Sequence, residues 1–142
     1  HRLNRRQRQM CIRDSNEYAE VDVEAMLLDG RTIATNGPRI VLALDGEGPG
    51  AFFEPDGPVE LTLRVEAPAH IPLSGAALIG PGGQTLRAWE LDGEGPVHLS
   101  WTDTLRNPPD WILAICWGDA AAEPYLTEPA WAITGPIWTG RP

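Results

Sequence analysis

The chain has 142 residues, with 11 Lys plus Arg against 20 Asp plus Glu, a net charge of −9 and a pI near 4.7. An acidic balance of this size repels phosphate backbones and anionic lipid headgroups, which disfavours nucleic acid as a partner. No apolar run approaches the roughly 20 residues of a membrane-spanning helix, and the length suits one domain that buries about two-thirds of its unfolded surface.

Arg5-Arg6-Gln7-Arg8-Gln9-Met10-Cys11-Ile12-Arg13-Asp14 reads word for word as the translation of a transposase-type sequencing-library adapter with its mosaic end. His1 and Ser15 fit the bases on either side. Residues 1–15 are therefore expected to be adapter-derived and irregular, and they are set aside from fold reasoning. The alternative, a basic arm for nucleic acid, has this ten-residue agreement against it. Residues 1–15 hold five Arg and Asp14, so the remainder carries six Arg, no Lys and 19 acids; six minus nineteen is −13. The natural chain is expected to start near Asn16 with its true N-terminus lost. A signal peptide is then not legible, and the compartment stays open between bacterial cytoplasm and periplasm. Cys116 becomes the single cysteine, which excludes an internal disulfide. Its place within Trp111–Trp117 reads as a buried, inert thiol.

One stretch reads as helix. Asp22 caps a first turn, Glu24 sits near the positive end of the dipole, Val23 to Asp29 are good formers, and Gly30 suits the residue after the end. Residues 16–31 thus read as a short helix and linker, the last helix of a preceding domain or the connection to it, and 32–142 as the folded domain. From there the pattern has period two. Ile40, Leu42 and Leu44 alternate with Val41 and Ala43. Val59, Leu61, Leu63 and Val65 alternate with Glu60, Thr62, Arg64 and Glu66, as in a strand with one wet face. Ala76–Ile79, Gln84–Leu91, Val97–Trp101, Trp111–Trp117 and Trp131–Trp138 supply further extended runs, punctuated by 14 Pro and 15 Gly. Trp111–Trp117 is apolar on both faces and reads as a central strand. Seven or eight short strands between Gly/Pro turns predict a mainly β chain, an antiparallel immunoglobulin-like β-sandwich preceded by one short helix.

Three motifs carry a family resemblance. Asp29-Gly30-Arg31-Thr32-Ile33-Ala34-Thr35-Asn36-Gly37-Pro38 runs into the strand from Arg39 to Leu44. Asp45-Gly46-Glu47-Gly48-Pro49-Gly50 follows, and Ala130-Trp131-Ala132-Ile133-Thr134-Gly135-Pro136-Ile137-Trp138 closes the chain. In this order and at this distance they resemble the C-terminal domain of PHP-type metallohydrolases (polymerase and histidinol phosphatase domain), in the branch labelled CehA/McbA-like. The resemblance covers residues 22–50 and 110–138, and the middle by strand pattern only. It implies a parent enzyme whose N-terminal barrel holds divalent metal ions and activates water for ester hydrolysis. That barrel is absent here, so no catalytic, cofactor-binding or metal-binding residue carries over. The chain then reads as a non-catalytic accessory domain. Its expected partner is the missing catalytic domain, with Thr35, Asn36, Gly37, Pro38, Thr134, Gly135, Pro136 and Trp138 as candidate interdomain contacts.

Each candidate site has a plainer alternative. His70 and His98 lie 28 residues apart and outside any H-x-H or H-E-x-x-H arrangement, so both read as surface histidines. Thr35–Pro38 reads as a bend between structural elements before it reads as an approach to an active site. Asp45-Gly46-Glu47-Gly48-Pro49 recurs as Asp92-Gly93-Glu94-Gly95-Pro96, two similar hairpin turns rather than calcium loops. No nucleophile elbow, phosphate loop or dinucleotide fingerprint occurs. Trp89, Trp101, Trp111, Trp117, Trp131 and Trp138 admit a carbohydrate-binding module as the alternative function, and a plain immunoglobulin-like structural module as a third. Trp111 and Trp117 share strand parity with Leu113 and Ile115, and Trp101 with Val97 and Leu99, so core or interdomain packing is expected for at least four of the six.

Overall fold

The computed structural model describes residues 30–121 and 123–140. The adapter-like residues 1–15 and the helix expected over 22–29 lie outside them. The described residues form nine strands: β1 (Ile33–Thr35), β2 (Arg39–Leu44), β3 (Val59–Ala67), β4 (Gly75–Gly80), β5 (Gln84–Glu90), β6 (Val97–Leu105), β7 (Trp111–Ala121), β8 (Pro129–Thr134) and β9 (Ile137–Trp138). The one helical stretch among the described residues is a 3-10 turn, Pro81–Gly83. The larger sheet runs β1-β8-β7-β4-β5, with β9 also pairing β7, and the smaller runs β2-β3-β6; every ladder is antiparallel. The count exceeds the expected seven or eight because the entry segment forms a strand at Ile33–Thr35 and the final run splits in two.

The two sheets share one core, and its chemistry is lopsided. The smaller sheet contributes Ile40, Leu42, Leu44, Val59, Leu61, Leu63 and Val65, all fully buried. Facing them, the larger sheet contributes mostly small side chains, Ala76, Ala114, Cys116, Ala130 and Ala132, with Leu78, Ile33, Ile112 and Ile137 among them. Two stacked sheets lie about 10 Å apart, so large side chains on one must meet small ones on the other. Trp89 of β5 and Trp101 of β6 close the open flank between the sheets, with ring centroids 5.1 Å apart in an edge-on contact. The Arg87 guanidinium lies over both rings, 5.4 and 5.0 Å from their centroids, a cation–π contact that lets a charged residue cap apolar surface.

Turn chemistry is local and readable. Leu44 and Glu47 exchange both backbone hydrogen bonds at 2.9 Å around Asp45 and Gly46. The φ values of Asp45 and Gly46, 50° and 81°, make this the two-residue turn that Asp-Gly favours. The Asp45 carboxylate also accepts a hydrogen bond from the Glu60 amide at 2.7 Å, tying the turn to β3. The second Asp-Gly-Glu-Gly-Pro is not a hairpin. It carries the chain from β5 in one sheet to β6 in the other, with the Asp92 side chain accepting from the Glu94 amide at 3.0 Å.

The side on which each β8 residue points yields a sharp test. Ala132 faces the core and Ile133 faces out, at 39% exposure. Ala132→Leu should overpack the core and cost about 1–3 kcal/mol in chemical denaturation. Ile133→Thr should stay within about 0.5 kcal/mol of the parent chain, the usual range for surface changes. The reverse ranking would mean that β8 presents its other face.

Candidate functional site

Residues in register across a sheet share a face, so the ladders assign each face of the molecule. The outer face of the smaller sheet is polar: Arg39, Glu66 and His98 form one row, and Val41, Arg64 and Ser100 the next. Then come Ala43, Thr62 and Thr102. Glu66 lies 3.8 Å from Arg39 and 3.4 Å from Arg64. A shallow open hollow of about 300 Å³ lies at the end of this face, lined by residues that include Arg39, Glu66 and His98.

The outer face of the larger sheet is the opposite. Ala34, Ile133, Ile115, Ala77 and Ala88 form one row across five strands. Trp131, Trp117, Gly75 and Glu90 form the next, and Leu113 pairs Ile79, which pairs Thr85. Glu90, at the β5 margin, is the one charged residue in these rows. Trp131 is 36% exposed, while Leu113, Ile115 and Trp117 are half-buried. Gly75 is required beneath Trp117: a Cβ there would come within 2.4 Å of the indole, which lies across the β4 backbone. Covering a strand glycine with a cross-strand aromatic ring is a recurrent packing device.

This arrangement corrects the parity argument for the tryptophans. Trp111 and Trp117 do share a side of β7 with Leu113 and Ile115, but that side faces outward. Ile112, Ala114 and Cys116 take the core side, opposite the large buried side chains of the smaller sheet. Trp101 faces inward with Val97 and Leu99, as its parity implies. No tryptophan is fully buried.

The candidate contacts read from sequence fall along the β1–β8–β9 border of the larger sheet rather than in one cluster. Thr35 donates its hydroxyl hydrogen to the Pro38 carbonyl at 2.6 Å and accepts the Gly37 amide at 3.0 Å. Asn36 works as an extra strand residue: its side chain accepts from the Trp131 amide at 2.8 Å and donates to the Pro129 carbonyl at 3.1 Å. The Thr35–Pro38 segment is thus the bend that takes the chain from one sheet to the other, with Pro38 buried.

At the far end, β8 and β9 lie in one line along β7, broken at Gly135-Pro136 by one extra residue in the register. The break leaves the Ala114 amide without a ladder partner, and the buried Thr134 hydroxyl accepts it at 3.0 Å. Gly135 sits against the Gly30 carbonyl, where a Cβ would come within 2.0 Å. Pro136 accepts the Gly50 amide at 2.8 Å, and Trp138 packs its ring 6.3 Å from that of Trp111 at 56°. These bonds satisfy the motif within the domain itself. Hydrogen bonding of this kind is not readable from composition, although the Thr-Asn-Gly-Pro and Thr-Gly-Pro strings did mark both places where the backbone departs from the ladder.

Chemistry-bearing side chains are dispersed. His98 is exposed on the polar face, and exposed His70 packs against Tyr125 with ring centroids 4.3 Å apart. Among the described residues no group of three or more His, Cys, Asp or Glu could hold a metal ion, and no helix is long and apolar enough to cross a membrane. Cys116 is buried, and desolvation pushes its thiol up to about 12 against an opposing backbone hydrogen bond from Ala132. The protein-family models, the curated proteins and the solved structures gave no match to this chain.

Two outcomes follow. Thr134→Val should strand the buried Ala114 amide and cost about 1–3 kcal/mol by denaturant titration, more than the loss of one exposed hydrogen bond. Cys116 should resist thiol reagents in the native chain at pH 8 and react on unfolding. Because folding raises its pKa, its contribution to stability is complete below about pH 9 and is lost as pH rises toward 12. Rapid native-state labelling at pH 8 would contradict the burial.

Proposed function

We propose that this chain is a non-catalytic accessory domain of a metal-dependent hydrolase, packed against a catalytic barrel of the PHP type that the present sequence lacks. The observation that carries the reading is the contrast between the two outer faces. A sandwich that stands alone gains nothing by presenting Trp131, Ile133, Ile115 and Leu113 to water on one side and Arg, Glu, Ser and Thr on the other. Contiguous apolar patches of this kind mark interfaces on soluble proteins. The parent activity and its divalent metal ions come from the motif resemblance alone. In this reading the domain braces the barrel. The Thr-Gly-Pro strand break and the Thr-Asn-Gly-Pro bend then border the covered face, and the chemistry belongs to the partner.

We read the architecture as immunoglobulin-like. The set β2-β3-β6 opposite β8-β7-β4-β5 corresponds to a sandwich in which the fourth strand has crossed to the far sheet. A carbohydrate-binding module is the alternative, and Trp117 lying flat beside exposed Trp131 is the observation in its favour. Against it, the tryptophan pairs in contact cross at 69° and 56° rather than forming a plane.

Two measurements test the reading. The purified chain should turn over generic phosphoesters and carboxyl esters with Mn²⁺ or Zn²⁺ only at background. Metal-dependent turnover abolished by His70→Ala or His98→Ala would overturn the non-catalytic assignment. The reading frame upstream in the source DNA should encode a His-x-His strand with further His, Asp and Glu ligands. An unrelated upstream domain would overturn the parent enzyme.

A further inference from the structure

The hollow at the end of the smaller sheet's polar face is assembled from three separate pieces of chain. Gly37 comes from the bend between β1 and β2, Glu66 and Pro68 from the end of β3, and Pro96 and His98 from the start of β6. Each piece is held in place. The Thr35 hydroxyl locks the bend by bonding both Pro38 and Gly37, and the Pro68 carbonyl accepts the Ile71 amide at 3.0 Å. Proline fixes its own φ, so Pro68 and Pro96 leave little freedom to lose when a ligand arrives. The volume of about 300 Å³ is at the lower end for small-molecule sites.

The charge here is the reverse of the chain's. The protein carries −9 overall. In the two rows nearest the hollow, Arg39, Arg64 and His98 stand around one carboxylate, Glu66. Two guanidiniums against one carboxylate leave one positive charge over, before His98 is counted. Glu66 does not use up the donors either. It lies 3.8 Å from Arg39, beyond hydrogen-bond reach, and 3.4 Å from Arg64, near the long limit. Arg39 is the arginine that lines the hollow, and its side chain is 62% exposed.

These features select a ligand class. A guanidinium presents a planar fork that a carboxylate matches with two parallel hydrogen bonds. A phosphate dianion would set two negative charges beside Glu66 against a single spare positive one, so a monoanion fits better. Pro68 and Pro96 offer an apolar wall for the rest of the ligand. We propose that the hollow binds a small monocarboxylic acid, with its carboxylate on the Arg39 guanidinium and its apolar body against Pro68 and Pro96. The site belongs to the outer face of the smaller sheet, not to the apolar face given to the missing domain. It therefore stands or falls apart from the accessory-domain reading.

Titration of the isotope-labelled chain with sodium benzoate, followed by amide NMR at pH 7 and constant ionic strength, tests this. The Gly37, Arg39 and His98 amides should move along one saturable curve, with a Kd on the order of 1–10 mM for so small a ligand on an open site. Benzamide, which has the shape without the charge, and inorganic phosphate should each bind at least about tenfold more weakly. Arg39→Gln should weaken benzoate by about tenfold or more through loss of charge-assisted hydrogen bonds. Arg39→Lys should recover part of that loss, because an ammonium keeps the charge and not the fork. Arg106→Gln, in the β6–β7 connection, should leave binding unchanged. Unmoved amides on the far sheet report that each variant is folded. Shifts still linear at ~100 mM benzoate, benzamide or phosphate binding as tightly as benzoate, or equal affinities in the Arg39→Gln and Arg106→Gln variants would each overturn the proposal.

Discussion

The structure depends on how much room lies between two β-sheets. The smaller sheet fills that gap with Leu42, Leu44, Leu61, Leu63 and Val65, each essentially without solvent exposure. The larger sheet can then answer mainly with Ala76, Ala114, Cys116, Ala130 and Ala132. Interiors pack at the density of organic crystals and tolerate neither voids nor excess volume. This volume constraint decides which way β7 faces. Its residues are apolar on both sides, and the small alternate set is the one the interior accepts. Trp111, Leu113, Ile115 and Trp117 are left outside by exclusion.

The apolar outer face is thus a consequence of core packing, but its persistence across β8, β7 and β4 is not. A strand whose outer side met only water would tolerate Thr, Arg or Glu there, as β3 does with Thr62, Arg64 and Glu66. Instead Ile133 stands opposite Ile115, and Trp131 opposite Trp117. The two sheets therefore differ in the character of their outer faces as well as in size. Polar groups elsewhere are organised for the fold itself. Asn36 extends the β1–β8 ladder with its side chain, and Thr134 repairs the β7 ladder where Gly135-Pro136 interrupts the neighbouring line. The same motif residues that carry the family resemblance hold the border of the apolar face in place.

Much of the fold was legible in the chain. Alternation at Val59–Val65 and Val97–Trp101 identified two strands and their buried sides, because a polar residue on one side fixes the other as core, and Ile40–Leu44 read as a strand by its larger side chains at every second position. Asp45-Gly46 announced its turn, since that pair accepts the positive φ values required. The repeat of the same string at Asp92 misled, because a turn sequence sets local dihedrals and not which strands it joins. The final run from Trp131 to Trp138 read as one strand. The break appears only once Gly135 must lie against the Gly30 backbone, a contact between residues more than a hundred positions apart.

By itself the sequence determined the β class, most of the strand positions and the acidic character. These follow from local periodicity, turn residues and composition. Only the tertiary structure decided which side of Trp111–Trp117 is the inside, since a strand apolar on both faces has no sequence signal to break the symmetry. That choice follows from the volume that the smaller sheet's large buried side chains leave in the shared core. With it came the feature on which the functional reading turns, an apolar surface on the outside of the larger sheet.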